Sequence, residues 1–187
     1  MTDHDRYFEY LKGRSRAAVW YRRGYLYPRL GRYLNGLALD VGCGVGDMLA
    51  FRPRTIGVDV NPKTVEYCIR RGFPAVCMGP DRLPFLASSF DSAVADNVLE
   101  HLASPRALLT EVRRVLKDGG TLVVGVPGER GYQADPDHKT FYDEPRLTAE
   151  VEHAGFQRAA VFHVPWRSRR LSAALRQYCI YAAFRAA

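Results

Sequence analysis

The chain has 187 residues, 47% of them hydrophobic, a formal net charge of +7 and four cysteines. That length suffices for one sizeable core and is short for two ordinary domains, so residues 1–187 are expected to form a single domain. No run approaches the roughly 18 apolar residues of a membrane span, and the first residues lack the apolar stretch of a secretory leader, so a soluble, cytoplasmic protein is expected.

Cys43, Cys68, Cys77 and Cys179 form no Cys-x-x-Cys pair, and no histidine stands at ligand spacing from them. Neither disulfides nor a metal site is expected, and the thiols read as reduced core residues. The charge is unevenly spread: residues 1–36 carry eight basic and three acidic side chains, 37–155 thirteen and seventeen, and 156–187 six and none. Two basic ends around an acidic middle predict a face for an anionic partner, whether nucleic acid, a membrane surface or a phosphate-bearing substrate.

Residues 15–34 have a helical pattern in which Trp20, Tyr21, Tyr25, Tyr27 and Tyr33 interleave with Arg16, Arg22, Arg23, Arg29 and Arg32. We read residues 1–35 as a basic, aromatic helical lid and 36–187 as the core. Short β-rich runs follow at 37–41, 55–59, 75–78, 90–96 and 121–126, alternating with helices at 62–72, 105–119 and 145–155 that start at proline and stop at glycine. Asn61 and Ser104 are the expected caps of the first two helices. This alternation predicts a parallel sheet with crossover helices, and the runs 159–164 and 178–184, with no helical pattern between them, predict a terminal antiparallel hairpin.

Directly after the first strand stands Asp40-Val41-Gly42-Cys43-Gly44-Val45-Gly46, a turn in which backbone approaches a ligand without intervening Cβ atoms. The second strand ends in Asp59, where a carboxylate can accept hydrogen bonds from both hydroxyls of an adenosine ribose. The glycines follow Gly-x-Gly-x-Gly, not the Gly-x-Gly-x-x-Gly of dinucleotide sites, and Asp47 stands where the third glycine would be. An acid there would repel a pyrophosphate and suits a cationic ligand better. Between Gly46 and Arg54 there is room for one or two helical turns at most.

The chain resembles the class I S-adenosylmethionine-dependent methyltransferases of the type 11 group. The resemblance covers about residues 36–165 and rests on the Asp40 to Gly46 loop, Gly57-Val58-Asp59, Leu83-Pro84-Phe85, Ser89-Phe90-Asp91, Asn97-Val98-Leu99-Glu100-His101-Leu102, Arg114 to Gly120, and Pro127. It implies an α/β, Rossmann-like fold with a seven-stranded, mostly parallel sheet ordered 3-2-1-4-5-7-6, helices on both faces and S-adenosyl-L-methionine as cofactor. It places Asp40, Gly42, Cys43, Gly44 and Gly46 at the methionine and ribose portions, Asp59 on the ribose and Val60 against the adenine. Asp96 or Asn97 would face the methionine carboxylate and amine. The family's usual adenine-contacting acid falls at Gly79 here; the nearest acid is Asp81, and Met78 and Leu83 would sandwich the ring.

A hydroxyl acceptor must lose its proton as it attacks, and His138 and His101 are the candidate bases. His101 belongs to the Glu-His motif after the fourth strand, where it could equally order the loop or the cofactor's methionine end. Glu100 reads as a structural or helix-capping acid. His138 lies in the longest loop, 127–143, flanked by Asp135 and Asp137. No Asn-Pro-Pro-Tyr or Asp-Pro-Pro-Tyr ends the fourth strand and no Pro-Cys nucleophile appears, which disfavours a nucleobase target.

A further resemblance lies in Tyr7 to Arg16, the Gly125 to Tyr142 exit and Arg176 to Ala182, which look like small methyltransferases of bacterial surface-polysaccharide synthesis. It implies a small-molecule or saccharide hydroxyl as acceptor, free or on a lipid diphosphate, with peripheral membrane contact. An RNA-directed enzyme and a non-catalytic cofactor-binding module remain the alternatives.

Overall fold

The computed structural model describes residues 3–187. Strands β1 (Ala38–Val41), β2 (Thr55–Asp59), β3 (Ala75–Cys77), β4 (Phe90–Asp96) and β5 (Leu116–Pro127) pair in parallel, while β7 (Cys179–Ala186) is antiparallel to both β5 and β6 (Phe156–Val164). They form one seven-stranded sheet in the order β3-β2-β1-β4-β5-β7-β6, the topology expected. β1 is buried along its whole length, Asp40 included, and its other three residues are apolar, as expected of a central parallel strand.

Each face of the sheet has its own core. On one face α6 (Arg106–Val115) and α8 (Glu144–Glu152) place Leu108, Leu109, Val112, Leu147 and Val151 against Leu39, Leu122, Val124 and Phe184. On the other, Val94, Val123, Tyr181 and Ala183 meet Leu26, Tyr27 and Leu30 of an N-terminal helix and Leu34 just after it. That helix runs as α2 (Arg16–Tyr21), a π turn over Arg22–Leu26 and α3 (Tyr27–Gly31). It is preceded by α1 (Asp3–Lys12), whose Phe8 and Leu11 pack on Val45 of the glycine loop.

Local chemistry explains most element ends. Asn61 caps α5 (Pro62–Arg70), accepting from the backbone N–H of Lys63 at 3.0 Å, with proline at the helix start. Ser104 does not cap α6: Pro105 takes that position, and α8 begins at Glu144, one residue before its expected start, capped by Asp143. α6 also stops at Val115 and not at Gly119, because Leu116 turns extended and is fully buried beside Phe90, its partner on β4. Between the terminal strands a six-residue helix, α9 (Arg169–Ala174), forms where none was expected. Cys43, Cys68 and Cys179 are buried free thiols, but Cys77 is exposed.

The short helix after the glycine loop, α4 (Asp47–Phe51), has five residues. Its Met48 and Phe51 pack against the α3 side chains, with the Tyr27 and Phe51 rings 5.5 Å apart. Beneath the loop, Gly57 of β2 leaves no space: a Cβ there would sit 2.7 Å from Cys43 Sγ and 2.9 Å from Leu49 Cδ1. Gly57→Ala should therefore destabilise the fold by about 1–3 kcal/mol through overpacking. The check is a lower urea midpoint at unchanged m-value; an unaltered midpoint would show that the loop yields freely.

Candidate active site

The carboxyl ends of β1, β2 and β4 bring three acids together around the glycine loop. Asp40 is 5% exposed and Asp59 6%, while the Asp96 side chain is 9% exposed. Burying three carboxylates side by side is costly unless each is compensated, and the structure compensates each differently.

Asp59 is held by backbone: Oδ2 accepts from the N–H of Gly44 at 2.9 Å and Oδ1 from that of Asn61 at 2.8 Å. The acid at the end of β2 thereby fixes the glycine turn. Gly42, Gly44 and Gly46 have φ of +71°, +51° and +80°, the left-handed region open to glycine. A Cβ on Gly42 would lie 2.7 Å from Val98 Cγ2.

Asp96 is paired with Arg22 of the π turn, whose Nη2 stands 2.7 Å from Oδ2; Tyr181 Oη donates to Oδ1 at 2.8 Å. Arg22 also donates to Tyr27 Oη at 3.0 Å. Asp40 has no such cation of its own. Burial, and then the neighbouring Asp96, raise its carboxyl well above the usual carboxylate range.

Asp40 and Asp96 line a solvent-open cleft of about 510 Å³, while Asp59 and Gly46 lie behind its walls. Of the expected cofactor residues it is walled by Asp40, Gly42, Cys43, Gly44, Asp96 and Asn97. It is also walled by Tyr7, Arg14, Arg22 and Tyr27 of the N-terminal helices, which were read only as a lid. Arg14 closes the rim by an ion pair with Asp47 at 3.0 Å. The sequence signal for Arg22 and Tyr27 is the arginine–aromatic interleaving of residues 15–34, which by itself names no partner for either; Tyr7 and Arg14 lie outside it.

The remaining expected positions lie outside these walls. Val60 is an exposed apolar side chain, Asp81 is exposed, and Gly79 forms a bridge with Arg82. Leu83 cannot sandwich a ring, because it is 1% exposed within the core cluster of Phe90 and Leu99. Met78 is half-buried at the edge of that cluster. α1 lies across this end of the site: Asn61 Nδ2 donates to the carbonyl of His4 at 2.9 Å, and Asp5 pairs with Lys63.

A second cluster forms next to the cleft. Leu99–His101 make a short 3-10 turn, and the carbonyl of Glu100 accepts from the N–H groups of Lys139 and Thr140 at 2.7 and 3.1 Å. This pins the loop after β5, including α7 (Glu129–Gln133), so that the His101 and His138 rings meet edge-on, 4.7 Å between centroids. Tyr7 sets its ring edge to His101 at 6.2 Å, linking cluster and cleft. Glu100 caps no helix. It is 1% exposed, its side-chain oxygens have no hydrogen-bond partner among the described residues, and burial pushes its carboxyl up to about 8. His138 is oriented by Tyr132, whose carbonyl lies 2.9 Å from Nδ1.

Known proteins resemble the chain in both sequence and fold. Residues 39–124 match the family model described as methyltransferase domain. A Mycolicibacterium smegmatis protein described as a probable S-adenosylmethionine-dependent methyltransferase is 31% identical over 171 residues, covering 82% of this chain and 66% of its own. An uncharacterized transposon protein of Streptomyces fradiae is 43% identical over 102 residues, 48% of this chain and 30% of its own. The chain thus spans between about a third and two thirds of the length of these relatives.

Among solved structures, a SAM-dependent methyltransferase of Thermotoga maritima superposes with a TM-score of 0.75 at 19% identity, covering 97% of this chain and 99% of that one. One from Aquifex aeolicus gives 0.71 at 17% identity, with both chains covered completely.

The Arg22–Asp96 pair should be the most sensitive point of the site. Arg22→Ala leaves a buried acid beside Asp40 without its cation, and should cost about 3 kcal/mol, the scale for breaking a buried pair from one side. Arg22→Lys should cost less, because it keeps the charge. Urea unfolding of the three proteins checks this, and equal midpoints would mean that the pair contributes nothing to folding.

Proposed function

We propose that this chain, which carries a class I methyltransferase domain of the S-adenosylmethionine-dependent kind, transfers a methyl group to a hydroxyl of a saccharide or another small molecule. The observation that carries this reading is the cleft lined by Asp40 and Asp96 at the carboxyl ends of β1 and β4 and built on left-handed glycines, with Asp59 of β2 bonded to the glycine loop behind it. Its acids suit a cationic ligand, and its glycine backbone lets that ligand come close. When bound, S-adenosyl-L-methionine supplies a methyl made electrophilic by the sulfonium.

The chain's own residues then do three things. Asp59 accepts from the ribose hydroxyls with the lone pairs that Gly44 and Asn61 leave free, and Val60 and Met78 offer apolar surface to the adenine. Asp40, Asp96 and Asn97 take the methionine end, with Arg14 and Arg22 near enough to meet its carboxylate. The cleft and the His101–His138 cluster hold the acceptor in line with the methyl, the geometry that methyl transfer mainly requires. α1 must lift from Asn61 to admit the cofactor, as a lid does.

Two features support an anionic or glycan-bearing acceptor. The basic ends of the chain meet: Tyr25 Oη donates to the carbonyl of Pro165 at 3.1 Å, and Tyr33 stacks on Phe162 at 5.3 Å. Beside them an open recess of about 410 Å³ is lined by Arg29, Arg32, Tyr33, Phe162 and His163. Exposed Trp166 and Arg167, Arg169 and Arg170 lie on the following segment. Aromatic faces and guanidinium groups recognise sugars and phosphates, and the same charge would serve the RNA-directed alternative.

S-adenosylhomocysteine should raise the melting temperature while NAD does not, and Asp59→Ala should weaken S-adenosylhomocysteine binding by roughly 1.5–3 kcal/mol, the loss of hydrogen bonds to a charged acceptor. Calorimetry on the folded variant reads this. Unchanged affinity would remove Asp59 as the ribose anchor, and a shift with NAD alone would remove the cofactor assignment.

Methyl transfer from labelled S-adenosylmethionine should enter a glycan or glycolipid fraction of bacterial extract rather than RNA. His138→Ala should lower that turnover by roughly 10²–10⁴, the usual contribution of a group assisting proton removal, and leave cofactor affinity within about twofold. Label appearing in RNA would favour the alternative acceptor. Full turnover in both His138→Ala and His101→Ala would dismiss the histidines from the chemistry.

A further inference from the structure

Glu100, His101 and His138 each point one ligand-type atom into a common space, all within 4.8 Å of one another. The backbone builds this meeting. The Glu100 carbonyl holds the N–H groups of Lys139 and Thr140, and Thr140 Oγ1 donates to the carbonyl of Leu102 at 3.1 Å, so His138 is fixed opposite the turn that carries Glu100 and His101.

The polarity of the cluster is unbalanced. A carbonyl can only accept, so the Nδ1 of His138 carries the proton donated to Tyr132, and in the neutral ring Nε2 presents a lone pair. Nε2 faces Glu100 Oε1 and Asp135 Oδ2, each at 3.8 Å, too far for a hydrogen bond. The Glu100 oxygens are fully enclosed and have no partner among the described residues. With Glu100 ionised, its lone pairs and that of His138 Nε2 converge on one point with no donor among the described residues, which leaves room for a cation in place of the carboxyl proton.

We propose that Glu100, His101 and His138 bind a divalent first-row transition ion, zinc being the probe of choice, with Asp135 beside it. Two imidazoles and one carboxylate form a borderline donor set that suits zinc, cobalt or iron(II) better than magnesium or calcium. Donors at about 2.0–2.2 Å from such an ion stand ~3.4 Å apart, so rotamer adjustments of a few tenths of an ångström to ~1 Å close the site. His138 already has the supporting contact usual for a metal-bound imidazole, its other nitrogen on a backbone carbonyl, and the His101 ring is held by the backbone of Asp137.

Three protein ligands leave coordination positions open. If the methyl-transfer reading holds, an acceptor hydroxyl bound there would be acidified and would pass its proton to the Asp135 carboxylate or to water, as its oxygen bonds the methyl carbon and the bond from that carbon to the cofactor's sulfur breaks. The ion site itself does not depend on that reading.

Binding is measured without turnover. Tag-free protein, stripped with chelator, is titrated with Zn²⁺ by calorimetry, and with Co²⁺ while its ligand-field absorption is recorded. One ion per chain is expected, with a rise in melting temperature. Glu100→Gln and His138→Ala should each weaken binding by more than the ~10–100-fold that loss of an outer partner costs. His153→Ala, an exposed histidine on the helix side of the fold, should bind as the native chain does. Should Glu100→Gln fail to fold, His101→Ala takes its place. No stoichiometric binding by the folded native chain, or equal binding by the cluster variants, overturns the proposal and leaves Glu100 as a buried protonated acid. Methyl transfer lost in all proteins with metal binding intact would reject the catalytic reading alone.

Discussion

The structure depends on the way three carboxylates are kept at one edge of the sheet. Asp59 and Asp96 end β2 and β4, and Asp40 is the last residue but one of β1 between them, two residues along from the level of each, so strand pairing brings the three to one edge of the sheet. Like charges so placed would raise one another's pKa values and weaken the fold. Each is compensated from a different source: backbone N–H groups for Asp59, a guanidinium and a phenol for Asp96, and burial that favours the neutral acid for Asp40. The fold therefore carries an acidic pocket at low net charge, already arranged for a cationic ligand.

Two of those compensations come from opposite ends of the chain. Arg22 belongs to the N-terminal helix and Tyr181 to β7, 159 positions apart by their numbers, yet both close on the carboxylate of Asp96. The π turn over Arg22–Leu26 explains how one helix can bury Leu26, Tyr27 and Leu30 against the sheet while turning Arg22 inward to the cleft. It also accounts for the short α4. The space beside Met48 and Phe51 is filled by α3, so the helix after the glycine loop ends where its packing partner begins.

Elements governed by local rules were legible. β2 and β4 fall on the expected residues, and Asn61-Pro62 starts its helix as read, because proline, an Asx cap and buried β-branched runs act within a few residues. Features decided by distant partners were not legible. Nothing near residue 115 says that Leu116 will pair with Phe90, nothing near residue 83 says that Leu83 will be enclosed by the core, and the partners of Arg14 and Arg22 lie 33 and 74 residues away. The two histidines were identified singly as chemistry-bearing residues. That they share one enclosure with Glu100 required the loop after β5 to be tied to the Glu100 carbonyl, a contact without a side-chain signature.

That tie relates the two halves of the site. The glycine loop and its acids are set by β1, β2 and β4, whose geometry follows from the sheet, so this part can stay fixed while the chemistry at the other end changes. The histidine cluster is carried by the segment after β5, joined to the sheet by two backbone bonds at Glu100 and by Thr140. Because backbone atoms make most of these ties, side chains along 128–143 other than Thr140 can vary without releasing His138. Tyr7 spans the boundary, one edge toward His101 and its helix over the glycine loop. Lifting α1 to admit a ligand would therefore also uncover the histidine side, which couples entry at one end to exposure of the reactive groups at the other.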